Sequence, residues 1–206
     1  IRMKKKLFAF LPVLLLMVAV FTSCSEVEDQ GKFSNWKERN EAFVDSLKAL
    51  NPTIVATEEA ALAMPVGTLF SIPVPLASTA KDKQYIYCKK IIANNQGQRP
   101  MYTESVKVYY YGTVITGDKF DGNFTGYTAL DKTFAGDKNP TETDSPSQFA
   151  VTGVITGWTE ALQYMRKGER WMIYIPYQSA YGTSAHGSIP GYSLLAFDVQ
   201  LTDIIK

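Results

Sequence analysis

The segment AYGTSAHGSIPG, residues 180–191, contains His186, the one histidine of the 206-residue chain, between Gly182 and Gly187. Histidine is the side chain whose charge changes most readily near neutral pH. Flanking glycines allow a backbone to approach a ligand closely. The pattern is therefore compatible with a catalytic loop, a phosphate-binding loop, a metal site or a turn that performs no chemistry.

The residues around His186 argue against most of these chemistries. One histidine and two cysteines cannot supply the usual nitrogen and sulfur ligands of a tetrahedral zinc site, so no metal is predicted. A serine hydrolase of the common α/β type needs a G-x-S-x-G turn, which the chain lacks. The spacing from Gly182 to Gly187 matches the start of a P-loop, but Ser188 stands where that motif requires lysine.

Aromatic side chains are the other candidates for a site. Many of them are core residues in a domain of this size, and the remainder predict an apolar pocket for a peptide or a small molecule. The candidates in the β-rich C-terminal part are Tyr109, Tyr110, Tyr111, Phe120, Phe149, Trp158, Trp171, Tyr174, Tyr177, Tyr181, Tyr192 and Phe197.

The N-terminal residues have the pattern of a secretory signal. The basic run MKKK precedes 15 apolar residues, Leu7 to Phe21, which are too few for a membrane-spanning helix and include Pro12. We therefore predict a signal peptide at 1–23. The following FTSC resembles the lipobox of bacterial lipoproteins, which makes Cys24 the candidate lipidation site and 24–34 a lipid-anchored tether. Cys88 then has no disulfide partner and is expected to be a buried small residue.

Residues 35–84 are predicted to form a helical extension, with a short helix or loop and then an edge strand in its second part, residues 51–84. In WKERNEAFVDSLKAL the large apolar residues Trp36, Phe43, Leu47 and Leu50 share one helix face. This helix either packs on the rest of the protein or forms a dimer, so the oligomeric state stays open. Lys and Arg (21) nearly balance Asp and Glu (20), which argues against a nucleic-acid partner.

Residues 85–206 contain most of the β-strand signal. Segments such as SVKVYYYGTVIT, RWMIYIPY and LLAFDVQLTDII are rich in β-branched and aromatic residues, and TEALQYMRKGE predicts one short helix. The order of these segments predicts an α+β fold, with a curled antiparallel β-sheet wrapped around that helix. Residues 122–148, rich in glycine, proline and polar residues, are expected to form a long loop.

These segments together resemble a known family. VYYYG, KFD, QFAVTGVITGWTEALQYMRKGERWMIYIP, AYG and LLAFDVQL occur in the order found in FKBP-type peptidyl-prolyl cis-trans isomerases (rotamases). The closest likeness is to the macrophage infectivity potentiator type of bacterial envelopes. The resemblance covers residues 85–206, which it identifies as an FKBP-like isomerase domain.

The resemblance implies a role for particular residues. Trp158 forms the floor of a prolyl pocket, Asp121 faces Tyr110 at its edge, and the Tyr181 hydroxyl and the Ile155 N–H hold substrate carbonyl oxygens. Those five residues are the implied catalytic set. The implied substrate-binding residues are Phe120, Phe149, Val154, His186, Ile189 and Phe197, with His186 and Ile189 on the rim.

The same resemblance implies the activity and its setting. The expected reaction is isomerisation of X-Pro bonds in exported or envelope proteins, which assists their folding and needs no cofactor. Proline-containing polypeptides are the expected partners, macrolides are candidate inhibitors, and a lipid anchor places the protein at the envelope, at the outer membrane and facing either the periplasm or the surface. Thr156, Gly191 and the long 122–148 loop depart from the family pattern. They leave open an alternative, a non-catalytic FKBP-like lipoprotein that binds peptides or proteins.

Overall fold

The computed structural model describes residues 31–206. The predicted signal peptide, the lipidation candidate Cys24 and most of the predicted tether lie outside the described residues. Residues 33–206 make up one compact unit. Within residues 31–206, no helix has both the length and the apolar content needed to cross a membrane.

One eight-stranded sheet organises this unit, as expected from the β-branched and aromatic segments of the sequence. Its strand order is β1-β2-β3-β7-β8-β4-β5, with β6 also paired to β4. Only β1 and β2 pair in parallel; the other pairs are antiparallel. The strands are β1 (Thr53–Ile54), β2 (Leu69–Pro73), β3 (Tyr85–Ile92), β4 (Ser105–Val114), β5 (Lys119–Gly122), β6 (Ser147–Ala150), β7 (Arg170–Ile175) and β8 (Leu195–Ile205).

Within residues 31–206, three α-helices accompany the sheet: α1 (Trp36–Ala49), α2 (Glu58–Ala63) and α3 (Thr156–Leu162). Helix α3 contacts β7 and supplies Trp158 and Leu162 to the hydrophobic core. Alternation along the strands directs Ile173 and Phe197, which are cross-strand partners, to this side of the sheet. We call it the inner face. The predicted α+β fold with a curled sheet around one short helix is confirmed.

The opposite side, the outer face, is also covered. Phe43 of α1 packs against Tyr174 of β7, with ring centroids 6.0 Å apart. The segment 123–146 contains no helix or strand, as predicted for a long loop, yet Phe124 and Tyr127 are buried in it. The backbone N–H of Tyr127 donates to Asp198 of β8 at 2.8 Å. This loop is therefore an ordered cover of the sheet, and we call it the insertion.

The structure corrects one detail of the N-terminal extension. Leu50 does not belong to the buried face of α1: the helix ends at Ala49, the chain turns at Asn51, and Leu50 is 66% exposed. The buried residues of α1 instead include the polar Asn40. As expected for residues 51–84, a short helix, α2, is followed by a strand, β2, which pairs with β3; the two-residue β1 adds to the edge by pairing with β2.

Candidate functional site

A cavity of about 370 Å³ opens at the inner face, between α3 and the strands β4, β5, β6 and β8. It contains every predicted site residue of the described chain except His186 and Ile189. The lining residues are Tyr110, Phe120, Asp121, Phe149, Gly153, Val154, Ile155, Trp158, Tyr181 and Phe197. Residues that are up to 87 positions apart in sequence thus meet because the antiparallel pairing of β4 with β8 brings Tyr110 beside Phe197.

Trp158 is the centre of the aromatic packing in this cavity. Its ring makes edge-to-face contacts with Tyr110, Phe149 and Phe197, at centroid distances of 5.6, 5.9 and 5.2 Å. Phe120 continues the wall by packing on Phe197 at 5.4 Å. Edge-to-face pairs stabilise by about 0.5–1.5 kcal/mol each beyond area burial. The walls are therefore fixed before any ligand enters.

The close packing of two walls depends on Gly112 of β4. A Cβ atom at this position would lie 2.7 Å from Phe120 Cζ and 2.9 Å from Phe197 Cε1. Those distances are below van der Waals contact, so only glycine allows both rings to approach β4. Gly112 is a residue that sequence reasoning missed, although the VYYYG motif contains it.

The polar edge of the cavity is built from Tyr110 and Asp121. The Tyr110 hydroxyl donates to Asp121 Oδ2 at 2.9 Å, and Asp121 Oδ1 accepts the Gly122 N–H at 2.7 Å. Burial and the hydrogen bond to Asp121 raise the pKa of Tyr110 well above its usual range. Tyr110 therefore stays a neutral hydrogen-bond donor at physiological pH. The predicted position of Asp121 facing Tyr110 matches this geometry.

Asn123 supports that edge from behind, a role that no sequence pattern indicated. Its Oδ1 accepts the Tyr110 N–H at 2.9 Å, and its Nδ2 donates to Val108 O and Ser147 Oγ, each at 3.0 Å. Asn123 thereby links β4 to the start of β6, which carries Phe149. Its sequence context, NFT, matches only a glycosylation acceptor, which says nothing about this contact.

Two N–H groups near the cavity have no hydrogen-bond partner among residues 31–206. One is the indole Nε1 of Trp158, which is buried. The other is the backbone N–H of Ile155, the residue before α3, which lines the cavity. A carbonyl oxygen of a bound peptide would be a suitable acceptor for the Ile155 N–H.

The rim of the cavity differs in part from the prediction. Tyr181 lines the cavity, is 39% exposed and stacks on His186 with ring centroids 4.0 Å apart. Burial, followed by the charge of Asp121, raises the pKa of Tyr181. Ile189 is not among the residues that line the cavity. It exchanges backbone hydrogen bonds with His186 in a tight turn, and its side chain is 5% exposed in the hydrophobic core.

Other reactive groups contribute nothing to the cavity. Cys88 is completely buried, as predicted, and burial raises its pKa well above the usual value. Among residues 31–206, no group of three or more His, Cys, Asp or Glu side chains is placed to hold a metal ion. The cavity is thus an apolar, aromatic box with a tyrosine–aspartate edge.

Comparison with known proteins gives consistent matches. The profile of the FKBP-type peptidyl-prolyl cis-trans isomerase family matches residues 96–202. The chain is 40% identical over 115 residues to a macrophage infectivity potentiator of Trypanosoma cruzi, covering 55% of this chain and 50% of that protein. It is 35% identical over 117 residues to the FKBP-type 22 kDa peptidyl-prolyl cis-trans isomerase of Escherichia coli K12, covering 56% of this chain and 48% of that protein.

The structural comparison extends further along the chain. The crystal structure of FkpA from Escherichia coli superposes with a TM-score of 0.54 and 26% sequence identity, covering 85% of this chain and 64% of that one. The chain spans about half the length of the curated relatives that it matches. The profile match spans more than half of the chain, and the chain therefore belongs to the FKBP-type peptidyl-prolyl cis-trans isomerase family.

Proposed function

We propose that this protein catalyses the cis-trans isomerisation of X-Pro peptide bonds. The observation that carries the proposal is the aromatic box around Trp158 with its Tyr110–Asp121 edge. Its apolar, preformed walls fit a prolyl ring. Proline-containing segments of polypeptides are accordingly the proposed substrates.

The chemistry requires no nucleophile, metal or cofactor. The planar X-Pro amide is polar because of resonance, and the barrier to rotation is about 18–20 kcal/mol. The twisted transition state loses that resonance and with it much of the polarity of the amide. An apolar pocket disfavours the planar amide more than the twisted one, so it lowers the barrier. Each tenfold acceleration requires about 1.4 kcal/mol of such preference.

The groups around the box orient the substrate for this step. Trp158 and Phe197 hold the prolyl ring, while the Ile155 N–H and the Tyr181 hydroxyl donate to carbonyl oxygens of the peptide. Asp121 fixes the direction of the Tyr110 hydroxyl through their 2.9 Å hydrogen bond. In this proposal Asp121 organises the edge of the pocket and does not transfer a proton.

We propose the bacterial cell envelope as the location. The support is in the sequence: a basic and apolar leader, then Cys24 in a lipobox-like FTSC, then a polar stretch before α1 at Trp36. This gives a signal peptide (1–23), a lipid-anchored tether (24–34), an extension (35–84) and an isomerase domain (85–206). The substrates are then exported proteins that fold near the membrane. Incorporation of labelled fatty acid into the protein but not into its Cys24→Ala variant would test the anchor.

A protease-coupled assay with a proline-containing peptide tests the activity, and the chain offers a matched pair of variants. Tyr110→Phe removes the hydroxyl that faces the pocket. Tyr109→Phe removes the hydroxyl of the neighbouring residue, which points to the opposite side and lies near Asp144 O at 3.5 Å. We expect Tyr110→Phe to lower kcat/KM by about threefold to tenfold, the scale of one lost hydrogen bond, and Tyr109→Phe to leave it unchanged.

The same experiment decides between catalysis and binding alone. The second candidate is a domain that grips proline segments without useful turnover; it is motivated by the departures from the family pattern at the rim, where His186 stacks on Tyr181, and by the long insertion. Folded protein that binds the peptide but does not accelerate its isomerisation over background would support that second function. Absence of both binding and acceleration would contradict the two proposals together.

A further inference from the structure

Helix α1 makes a direct hydrogen-bonded contact with the chain that follows the rim of the pocket. Trp36 is 7% exposed, and its indole Nε1 donates to Ser193 Oγ at 2.8 Å. The Ser193 hydroxyl in turn donates to the carbonyl oxygen of Pro190 at 2.7 Å. A chain of two hydrogen bonds therefore connects the first residue of α1 to Pro190, which lies directly after the rim turn of His186 and Ile189.

Asn40, one helical turn further along α1, makes a second connection. Its side chain is 1% exposed; its Oδ1 accepts the Leu194 N–H at 2.7 Å, and its Nδ2 donates to Trp36 O at 2.6 Å. A buried amide is costly unless both of its ends are paired. Asn40 is paired at both ends, once within its own helix and once with the segment 190–194.

The segment 190–194 itself is held in an uncommon conformation. Tyr192 has φ of 63°, which side-chain-bearing residues rarely adopt. Its N–H donates to Gly182 O at 2.9 Å, which closes the loop that carries Tyr181 and His186. Its ring packs edge-to-face on Tyr177 at 5.1 Å and lies under the ammonium of Lys37 at 5.2 Å. Such strain persists only where the surroundings hold it in place.

From these contacts we infer that α1 positions the rim loop, residues 181–189, for substrate binding, with Trp36 and Asn40 as the positioning residues. The inference rests on the proposed function, because that loop carries Tyr181. Helix α1 lies outside the family match, which begins at residue 96, whereas the rim loop lies inside it. The extension thus has a role at the pocket without contacting the substrate.

The physical reason is the entropy of ordering a loop. A rim that samples many conformations must be fixed when the peptide binds, and this cost reduces affinity. Buried hydrogen bonds from α1 to residues 190–194 order the rim loop in the free protein, so that less conformational entropy is lost when the peptide binds. Their loss should raise the KM of the peptide and leave kcat nearly constant, because the rim contacts ground state and transition state alike.

The test is a double-mutant cycle on the full-length protein. Trp36→Phe keeps an aromatic ring and removes the indole N–H, and Ser193→Ala removes its acceptor. Leu47→Ala is the control: it weakens the packing of α1 three turns away, where Leu47 is 8% exposed. The measurements are KM and kcat in the peptide assay, the Kd of the same proline-containing peptide, and hydrogen exchange of the His186, Ile189 and Tyr192 amides.

We expect Trp36→Phe to raise KM and Kd by about threefold to tenfold, the effect of one buried hydrogen bond, with kcat changed less than twofold. Ser193→Ala should raise them at least as much, because it also removes the hydrogen bond to Pro190 O, and the double variant should show no increase beyond that of Ser193→Ala. The three amides should exchange faster. Asn40→Ala should give the same pattern, whereas Leu47→Ala should lower the melting temperature and leave KM and rim exchange unchanged.

Other outcomes separate this inference from the proposed function. Unchanged KM, Kd and rim exchange in folded Trp36→Phe and Ser193→Ala would overturn the inference, as would the same increase in KM for Leu47→Ala. If Trp36→Phe does not fold, Ser193→Ala removes the same bond from its other end. If the parent protein does not accelerate isomerisation, the proposed function fails, while peptide Kd and hydrogen exchange still decide whether α1 positions the rim.

Discussion

The inner and outer faces of the sheet differ in the side chains that they bury. The inner face contains an aromatic box whose rings make edge-to-face contacts, with one tyrosine–aspartate pair at its opening. The outer face buries a charged pair, Arg170 and Asp198, under the insertion, and α1 packs elsewhere on the same face. The binding chemistry therefore belongs to the inner face, whereas the outer face is covered by α1 and the insertion.

The outer face is organised around the Arg170 guanidinium. Its Nε and Nη2 donate to the two carboxylate oxygens of Asp198 at 2.7 and 2.6 Å. It also donates to Lys138 O at 2.6 Å and to Asn139 Oδ1 at 3.0 Å. The rings of Phe124 and Tyr127 lie over it, at 5.3 and 5.1 Å. One buried cation therefore contacts the insertion at both ends of the range 124–139 and holds these parts together.

Removing that cation should produce the largest effect on stability. Arg170→Met leaves the Asp198 carboxylate buried without its partner, because Arg170 and Asp198 side chains are 2% and 0% exposed. Breaking a buried pair from one side costs about 3–5 kcal/mol. We expect the free energy of unfolding to fall by that amount in a urea titration, with kcat/KM retained in the fraction that stays folded.

A loss of kcat/KM in folded Arg170→Met protein would break the separation between the faces. It would mean that the insertion also sets the positions of Phe120 and Phe149, since it connects the strands β5 and β6 that carry them. The double variant Arg170→Met with Asp198→Leu is the matched control. It removes both charges, so it should recover part of the lost stability.

Two glycines provide a comparison of the faces with the same substitution. On the inner face, a Cβ at Gly112 would approach the rings of Phe120 and Phe197 to 2.7 and 2.9 Å. On the outer face, a Cβ at Gly126 would approach Asp198 Oδ2 to 2.6 Å and Phe124 Cζ to 2.9 Å. Overpacking of this kind costs about 1–3 kcal/mol of stability.

We expect Gly112→Ala and Gly126→Ala to lower the melting temperature similarly, and only Gly112→Ala to change catalysis. Its displaced walls should reduce kcat/KM by about tenfold, which corresponds to about 1.4 kcal/mol of transition-state preference. Peptide kinetics and thermal unfolding on the two variants measure the contrast. Equal loss of kcat/KM in both variants would show that the outer face is coupled to the pocket.

The sequence predicted the inner face better than the outer face for physical reasons. Trp158 and Tyr110 stand in motifs of fixed spacing, and the alternation in β4 and β8 determines which of their neighbours face α3. The strand segments identified the sheet, and the loop expected at 122–148 is found at 123–146, within two residues at each end. These features depend on local patterns, which a sequence displays directly.

Features that depend on distant partners were not predictable. Asn40 is a polar residue on an amphipathic helix, and only its contact with Leu194, 154 residues away, explains its burial. The family resemblance implied a rim position for Ile189; its side chain is 5% exposed in the hydrophobic core, and only the folded turn with His186 shows this burial. Arg170 and Asp198 stand 28 positions apart on neighbouring strands, and no local pattern marks their pairing.

The smallest predicted effect is on the pH dependence of stability, to which one group on each side of the sheet contributes with opposite sign. In the insertion, burial raises the pKa of Asp131, but hydrogen bonds from Thr128 and Lys138 outweigh it, and the pKa is lowered. On α3, burial raises the pKa of Glu160. A lowered pKa adds stability above the unfolded value of about 4, and this stability is lost as pH falls through the folded pKa. A raised pKa has the opposite effect, since stability is lost as pH rises through it.

Asp131→Asn should therefore destabilise the protein at pH 7, by less than about 1 kcal/mol because the carboxylate is partly exposed, and the difference should vanish near the acid end of the titration. Glu160→Gln should be neutral or stabilising at pH 7, because the charged form of Glu160 is the one that burial penalises. Melting temperatures of the parent and both variants across the acid range measure these slopes. Parallel pH curves for the two variants would contradict the assignment, because the two groups are predicted to contribute slopes of opposite sign.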